Sequence, residues 1–279
     1  MDKNIKQYQL QNQNHSMSMF LSILFSADEI WFLLQQFGTS IVFGMQNPHL
    51  GWLIDEIENA DRNALKLLVD RGYVRIASKN QIELDDALAA MIRTCAHPQH
   101  TLVAQFQDST GIDNQRYIYF GDELIVERTQ TKQNQHRLTV IKDREVLLKH
   151  LREVLRLSSI TTSHGKKFTL PEQTLFETRA LCTQGQASKA INNLKELDLS
   201  EEISSLLTKA LTNPVANSAF MALSNQSKSQ SQTVKGFALL EGKNDLWIMM
   251  PYDSDGIKMV EFIPANSKLV KQRFLEILP

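Results

Sequence analysis

Only two cysteines, Cys95 and Cys182, occur in 279 residues, each within an expected helix. That excludes a disulfide scaffold and makes a reducing cytoplasm the natural compartment. An excess of either charge is missing too, because 30 basic residues stand against 31 acidic ones for a formal charge of −1. Nucleic-acid binders normally concentrate positive charge against phosphate, so that class is disfavoured. Long apolar runs are also absent. Met19–Phe25 holds seven residues, with Asp28 and Glu29 close behind and no small-residue cleavage pattern. It is neither a signal peptide nor a membrane span, and no later stretch approaches one. The chain has no Gly-rich phosphate loop, no paired metalloprotease histidines and no Gly-x-Ser-x-Gly elbow. These absences point away from an enzyme, and no cofactor or metal is expected.

What the chain does have is an internal echo. Leu84-Asp85-Asp86-Ala87-Leu88-Ala89-Ala90-Met91-Ile92 recurs as Leu199-Ser200-Glu201-Glu202-Ile203-Ser204-Ser205-Leu206-Leu207, an offset of 199 − 84 = 115. Pro98 then meets Pro214 at 214 − 98 = 116. Beyond each proline the order of parts repeats. The first copy reads as strands 101–106, 117–120, 124–127 and 138–141, then a helix over 143–157. The second reads as strands 218–223, 237–240, 246–250 and 258–263, then a helix over 266–278. Offsets drift only in turns, where insertions cost little. The period is too long for a solenoid. Short connections such as Gly121-Asp122 make the strands antiparallel.

The expected fold is therefore α+β, with two quasi-equivalent α/β halves around an antiparallel β-sheet. They are related by internal duplication and a pseudo-two-fold axis. Residues 1–20, rich in Gln and Asn, form a flexible polar arm. Residues 21–157 make the first half, 158–167 a polar linker and 168–279 the second half. Both halves pack as one globular unit. Ser26-Ala27-Asp28-Glu29 is a capping box. Ile30, Leu33, Leu34 and Phe37 follow it at helical spacing and Gly38 ends that helix. A second helix spans 55–71, with Ala60, Ala64, Leu65, Leu67 and Leu68 inward and Gly72 just past its end. A hairpin over 73–84 and a helix over 85–96 lead to Pro98.

Candidate chemistry is sparse. Cys95-x-His97-x-x-His100 places three potential metal ligands close together. Pro98 splits the histidines and no fourth ligand is evident, so a structural role is preferred. Asp253-Ser254-Asp255-Gly256 opens like a calcium loop, but its glycine comes two positions early and Pro264 stands where a bidentate Glu is needed. A hairpin turn is expected there. Residues 55–84 have the outline of a winged helix. Arg62, Lys66 and Arg71 are offset there by Asp55, Glu56, Glu58, Asp61 and Asp70, which opposes phosphate contact. Trp31 and Trp52 are expected in the core.

The capped helix 26–37, the Asn47-Pro48 corner and the helix ending Val69-Asp70-Arg71-Gly72-Tyr73 together resemble one known family. So do the 84–91 helix and Cys95-Ala96-His97-Pro98. The family is that of the EspG-like proteins associated with ESX, or type VII, secretion. The resemblance implies two quasi-equivalent halves around a central antiparallel sheet. It also implies a non-enzymatic cytoplasmic chaperone, monomer or homodimer, that holds a helical, aggregation-prone secretion substrate. No nucleic-acid partner and no membrane insertion follow from it. Two alternatives from other classes are a winged-helix-like transcription regulator and a structural or ligand-sensing protein with an apolar pocket between its halves.

The continuous apolar run Leu246-Trp247-Ile248-Met249-Met250 suggests where a partner docks. The Ser224–Thr233 loop beside it, which includes Ser227, Ser229 and Ser231, is expected to order over the bound segment. Burial of Trp247 in the core is the competing expectation.

Overall fold

A computed structural model describes residues 21–39, 42–78, 81–107, 113–131, 133–155, 165–224, 234–243 and 245–279. The first half opens with β1 (Ser22–Phe25), α1 (Ala27–Gln35) and α2 (Ile54–Asp70). The hairpin β2 (Val74–Ser78) and β3 (Gln81–Leu84) and the helix α3 (Asp86–Ala96) follow. Next come β4 (His100–Gln107), β5 (Asp113–Phe120), β6 (Ile125–Gln130), β7 (His136–Ile141) and α4 (Arg144–Val154). The second half runs β8 (Phe168–Pro171), α5 (Glu172–Thr183), α6 (Ala187–Lys195) and α7 (Glu201–Thr212). It closes with β9 (Ala216–Ser224), β10 (Val234–Glu241), β11 (Leu246–Ser254), β12 (Ile257–Pro264) and α8 (Ser267–Ile277).

The helix boundaries have local causes. Ser26 Oγ accepts the Glu29 amide at 3.1 Å while Glu29 accepts the Ser26 amide at 2.7 Å, which satisfies two donors at the start of α1. Asp85 caps α3 and Ser200 caps α7, an offset of 200 − 85 = 115. Both helices end in the same way. His97 (φ −133°, ψ 60°) and Asn213 (φ −134°, ψ 69°) leave the helical region one residue before Pro98 and Pro214. A following proline disfavours the α conformation, so each break is dictated in the sequence. Asp143 and Asn266 cap α4 and α8 by accepting the amides of Val146 and Leu269, both at 2.9 Å.

The strands form one ten-stranded antiparallel sheet in the order β1-β7-β6-β5-β4-β9-β10-β11-β12-β8. Its centre is the β4–β9 pair, running from His100 opposite Ser224 to Gln107 opposite Asn217. Outward from that junction both halves have the same strand order, a four-stranded meander and then an edge strand contributed from before the helices. Ala104 lies opposite Phe220, and 220 − 104 = 116. That is also the offset between the two prolines, so equivalent positions of the two halves meet within this strand pair.

Alternation along the strands divides the core into two layers. On one face Leu102, Ile118, Phe220, Phe237 and Ile248 pack beneath α4 and α8. Phe274 of α8 meets Phe220 at 4.7 Å and Phe237 at 5.1 Å, both edge to face. On the other face sit two separate helical bundles. Ile30, Leu33, Met91 and Ile92 of α1 and α3 cover Val103, Tyr119 and Leu138. Leu194, Leu207 and Ala210 of α6 and α7 cover Leu240, Trp247 and Phe262.

Several expectations need correction. β1, β8 and α6 were not foreseen as elements, while the helix expected around Cys182 is α5. Leu67, expected inward, is 49% exposed, because α2 buries only Ala60, Ala64 and Leu68. Trp52, expected in the core, is 46% exposed. Trp31 is buried at 3%. The arm 1–20, most of the linker and the loop 225–233 lie outside the described residues.

Candidate functional site

The two bundles flank but do not cover the middle of their sheet face. Gln105 and Ala219, opposite one another across the β4–β9 junction, stay exposed there. Beside this strip, where α5 and α7 meet the sheet, runs an open groove of about 470 Å³. Leu175, Phe176 and Arg179 of α5 form one wall, and Leu211 and Pro214 form another. Asn217, Leu240 and Met249 contribute the sheet floor. Phe176 is 56% exposed at the rim of this groove.

The sequence candidates divide between this groove and the core. Met249 is half-buried and lines the groove. Trp247, two residues earlier on the same face of β11, is 2% exposed and packs among the third cluster's aliphatic side chains. It supports the floor and does not itself reach the groove surface. Ser227, Ser229 and Ser231 lie outside the described residues.

Other candidates have structural duties. Cys95 is 1% exposed, and burial pushes its thiol up to about 12 despite the nearby Arg128 charge. His97 Nε2 lies 2.8 Å from the Phe37 carbonyl oxygen, tying α3 to the end of α1. Asp253 accepts the Gly256 amide at 2.8 Å in the β11–β12 hairpin turn. The α2–β2–β3 segment does have the helix-then-hairpin outline, and no helix among the described residues is long and apolar enough to cross a membrane.

Sequence reasoning missed a buried arginine. Arg128 is 2% exposed, and its Nε donates to Tyr119 Oη at 3.1 Å. Its Nη1 meets His136 Nδ1 at 3.0 Å and its Nη2 donates to the Gly44 carbonyl. Tyr119 Oη in turn donates to the Phe43 carbonyl at 3.0 Å, and the guanidinium lies 4.4 Å over the Tyr117 ring. The cluster fastens the 42–45 turn to β5 and β6. Its members are 8 to 84 residues apart in the chain, so no local pattern announces it. On the opposite sheet face Glu127 is 4% exposed and accepts from Arg116 at 2.8 Å and His150 at 3.1 Å. Burial alone would raise its carboxyl, but the His150 and Arg116 contacts hold it below the usual range.

The Arg128 cluster makes stability pH-dependent. Burial, reinforced by the Arg128 charge, holds His136 down at about 4. The unfolded chain therefore takes up this proton first as pH falls. The contribution is full above the free-histidine value near 6.5 and is lost between there and about 4, roughly 3 kcal/mol in all. Urea midpoints at pH 7 and pH 4.5 should fall less for His136→Gln than for the unmodified chain. Equal losses would show that His136 titrates without constraint.

No protein-family model matches the sequence, and a search of curated proteins returns no match. Among solved structures, the fold is similar to that of the Mycobacterium tuberculosis type VII secretion system chaperone EspG5, determined in complex with the PE25-PPE41 dimer. The superposition has a TM-score of 0.64 at 13% sequence identity and covers 93% of this chain and 97% of that chain. The likeness is thus one of fold, an α+β architecture shared with a secretion chaperone along nearly the whole of both chains.

Proposed function

We propose that this protein is a non-enzymatic cytoplasmic chaperone that holds a helical segment of a type VII secretion substrate in the groove beside Met249. The observation carrying this reading is the near full-length likeness to EspG5, a chaperone solved with its bound partner dimer. The groove supports it with an open, largely apolar trough walled by α5 and floored by the sheet. An amphipathic helix seats in such a groove through anchors at i, i+3, i+4 and i+7. Met249 supplies an adaptable, polarisable contact and Phe176 a rigid aromatic one. The two halves arise in this reading by internal duplication, which the matched strand order supports.

Capture of the tagged protein from its native host, followed by mass spectrometry, is expected to recover a predominantly helical partner. Phe176→Ser should weaken that complex by about tenfold or more, as loss of an interface anchor does. Its melting temperature should barely move, because the ring is 56% exposed. Repeated captures without a helical partner, or a complex indifferent to Phe176→Ser, would count against the groove.

A further inference from the structure

A second surface lies in the first half, on the loop between α1 and α2, and is independent of the groove. Leu50 is 84% exposed, Trp52 46%, Leu53 72% and Ile54 75%. Four large apolar side chains within five residues make a contiguous patch of the kind that monomeric proteins seldom leave uncovered.

The loop is also held firmly. Asn47 Oδ1 accepts the His49 amide at 2.8 Å, and the Trp52 amide donates to the His49 carbonyl at 3.1 Å. Gly51 takes φ +86°, a conformation glycine adopts without strain. His49 is 3% exposed, and its Nε2 lies 3.0 Å from Asp28 Oδ1 in the first turn of α1. The Trp52 ring lies 5.0 Å from the imidazole. Glu56 accepts the Leu53 amide at 2.8 Å, which fixes the entry to α2. The apolar side chains are therefore presented from a pre-organised platform, the arrangement that lowers the entropic cost of association.

Charge selects the occupant. From Phe43 to Asp61 the chain has no Lys or Arg, while Asp55 and Glu56 stand exposed on the turn that follows the patch; Glu58, one turn on, lies 3.9 Å from Arg62. An anionic lipid surface would meet those carboxylates with repulsion, and a second copy docked symmetrically would set acid against acid. A cationic segment with apolar anchors satisfies both features. We infer that the 50–56 surface docks a basic, amphipathic segment of a protein partner, with Leu50, Trp52 and Leu53 as apolar anchors and Asp55 and Glu56 reading its charge.

Trp31 and Trp247 are 3% and 2% exposed, so Trp52 dominates the solvent-quenchable fluorescence of the chain and reports on docking. The probes are two short amphipathic peptides of identical apolar spacing, one with Leu and Lys, the other with Leu and Glu. The Leu/Lys peptide should shift Trp52 emission to the blue, protect it from acrylamide, and bind more weakly as salt is added. The double variant Leu50→Ser/Leu53→Ser should lower the affinity read at Trp52 by about tenfold, and Phe176→Ser should leave that Trp52 response unchanged. Both leucines are mostly exposed, so the double variant should keep the melting temperature of the unmodified chain. Equal binding of the Leu/Glu peptide, or indifference to the double variant, overturns the proposal. So does protection of Trp52 by self-association or by phosphatidylglycerol vesicles. Because Phe176→Ser tests the groove alone, failure at either surface is distinguishable from failure at the other.

Discussion

Trp247→Ala is expected to destabilise the protein by about 3–5 kcal/mol, the range for truncating a large aromatic in a closed core. Trp247 is 2% exposed, lies opposite Leu240 and Pro264 on the neighbouring strands, and fills the space beneath α6 and α7. Removing the indole leaves a cavity that neither the sheet nor the helices can collapse into without moving together. The melting temperature should fall on the order of 10 °C. Trp247→Phe, which keeps most of the volume, should cost far less. Partner capture by Trp247→Ala at a temperature where it remains folded should be weakened only through distortion of the groove floor. A variant with unchanged stability and lost binding would place Trp247 at an interface and contradict the packing described above.

The second large effect is expected at Gly44. Its φ is +78°, and a Cβ there would run into the Tyr117 ring. The ring cannot swing aside freely, because it is 9% exposed and Arg128 stacks on it at 4.4 Å. Gly44→Val should therefore cost about 2–4 kcal/mol through backbone strain combined with overpacking. Gly38 provides the comparison. Its φ of +70° is similar, but a Cβ would meet nothing within 4 Å. Gly38→Ala should cost only the left-handed penalty of about 1–2 kcal/mol. Equal urea midpoints for Gly44→Val and Gly38→Ala would show that the Arg128 cluster yields, and that the 42–45 turn is not anchored as described.

Most of the scaffold was legible because its signals are local. The Ser26–Glu29 box, the caps at Asp85 and Ser200, and the breaks before Pro98 and Pro214 each depend on residues within one helical turn. The eight meander strands were legible because alternation and short connections leave few pairings open. α5 was expected around Cys182 but without bounds or an inner face, because its run of Gln, Thr and Glu has little periodicity and it buries only Thr178 and Cys182 deeply. β1 and β8 are four-residue edge strands that exist because a neighbour offers free backbone groups.

The candidate site was legible only in part. Met249 was singled out from an apolar strand and does line the groove, but Phe176, on a helix the periodicity did not mark, was not. Trp52 was placed in the core on the ground that a lone tryptophan is usually buried. What exposes it is His49, which occupies the inner position and pairs with Asp28.

By itself the sequence determined the fold class, the helix ends before Pro98 and Pro214, and the antiparallel run of the meander strands. These follow from short-range hydrogen bonding and from the two periodicities of the backbone. The tertiary structure alone decided which apolar residues are core and which are surface. It placed Trp247 beneath a bundle, left Trp52 and Phe176 outside, and brought Arg128 to the carbonyl of Gly44. Burial depends on which elements cover a face, and that is set by contacts between residues far apart in the chain.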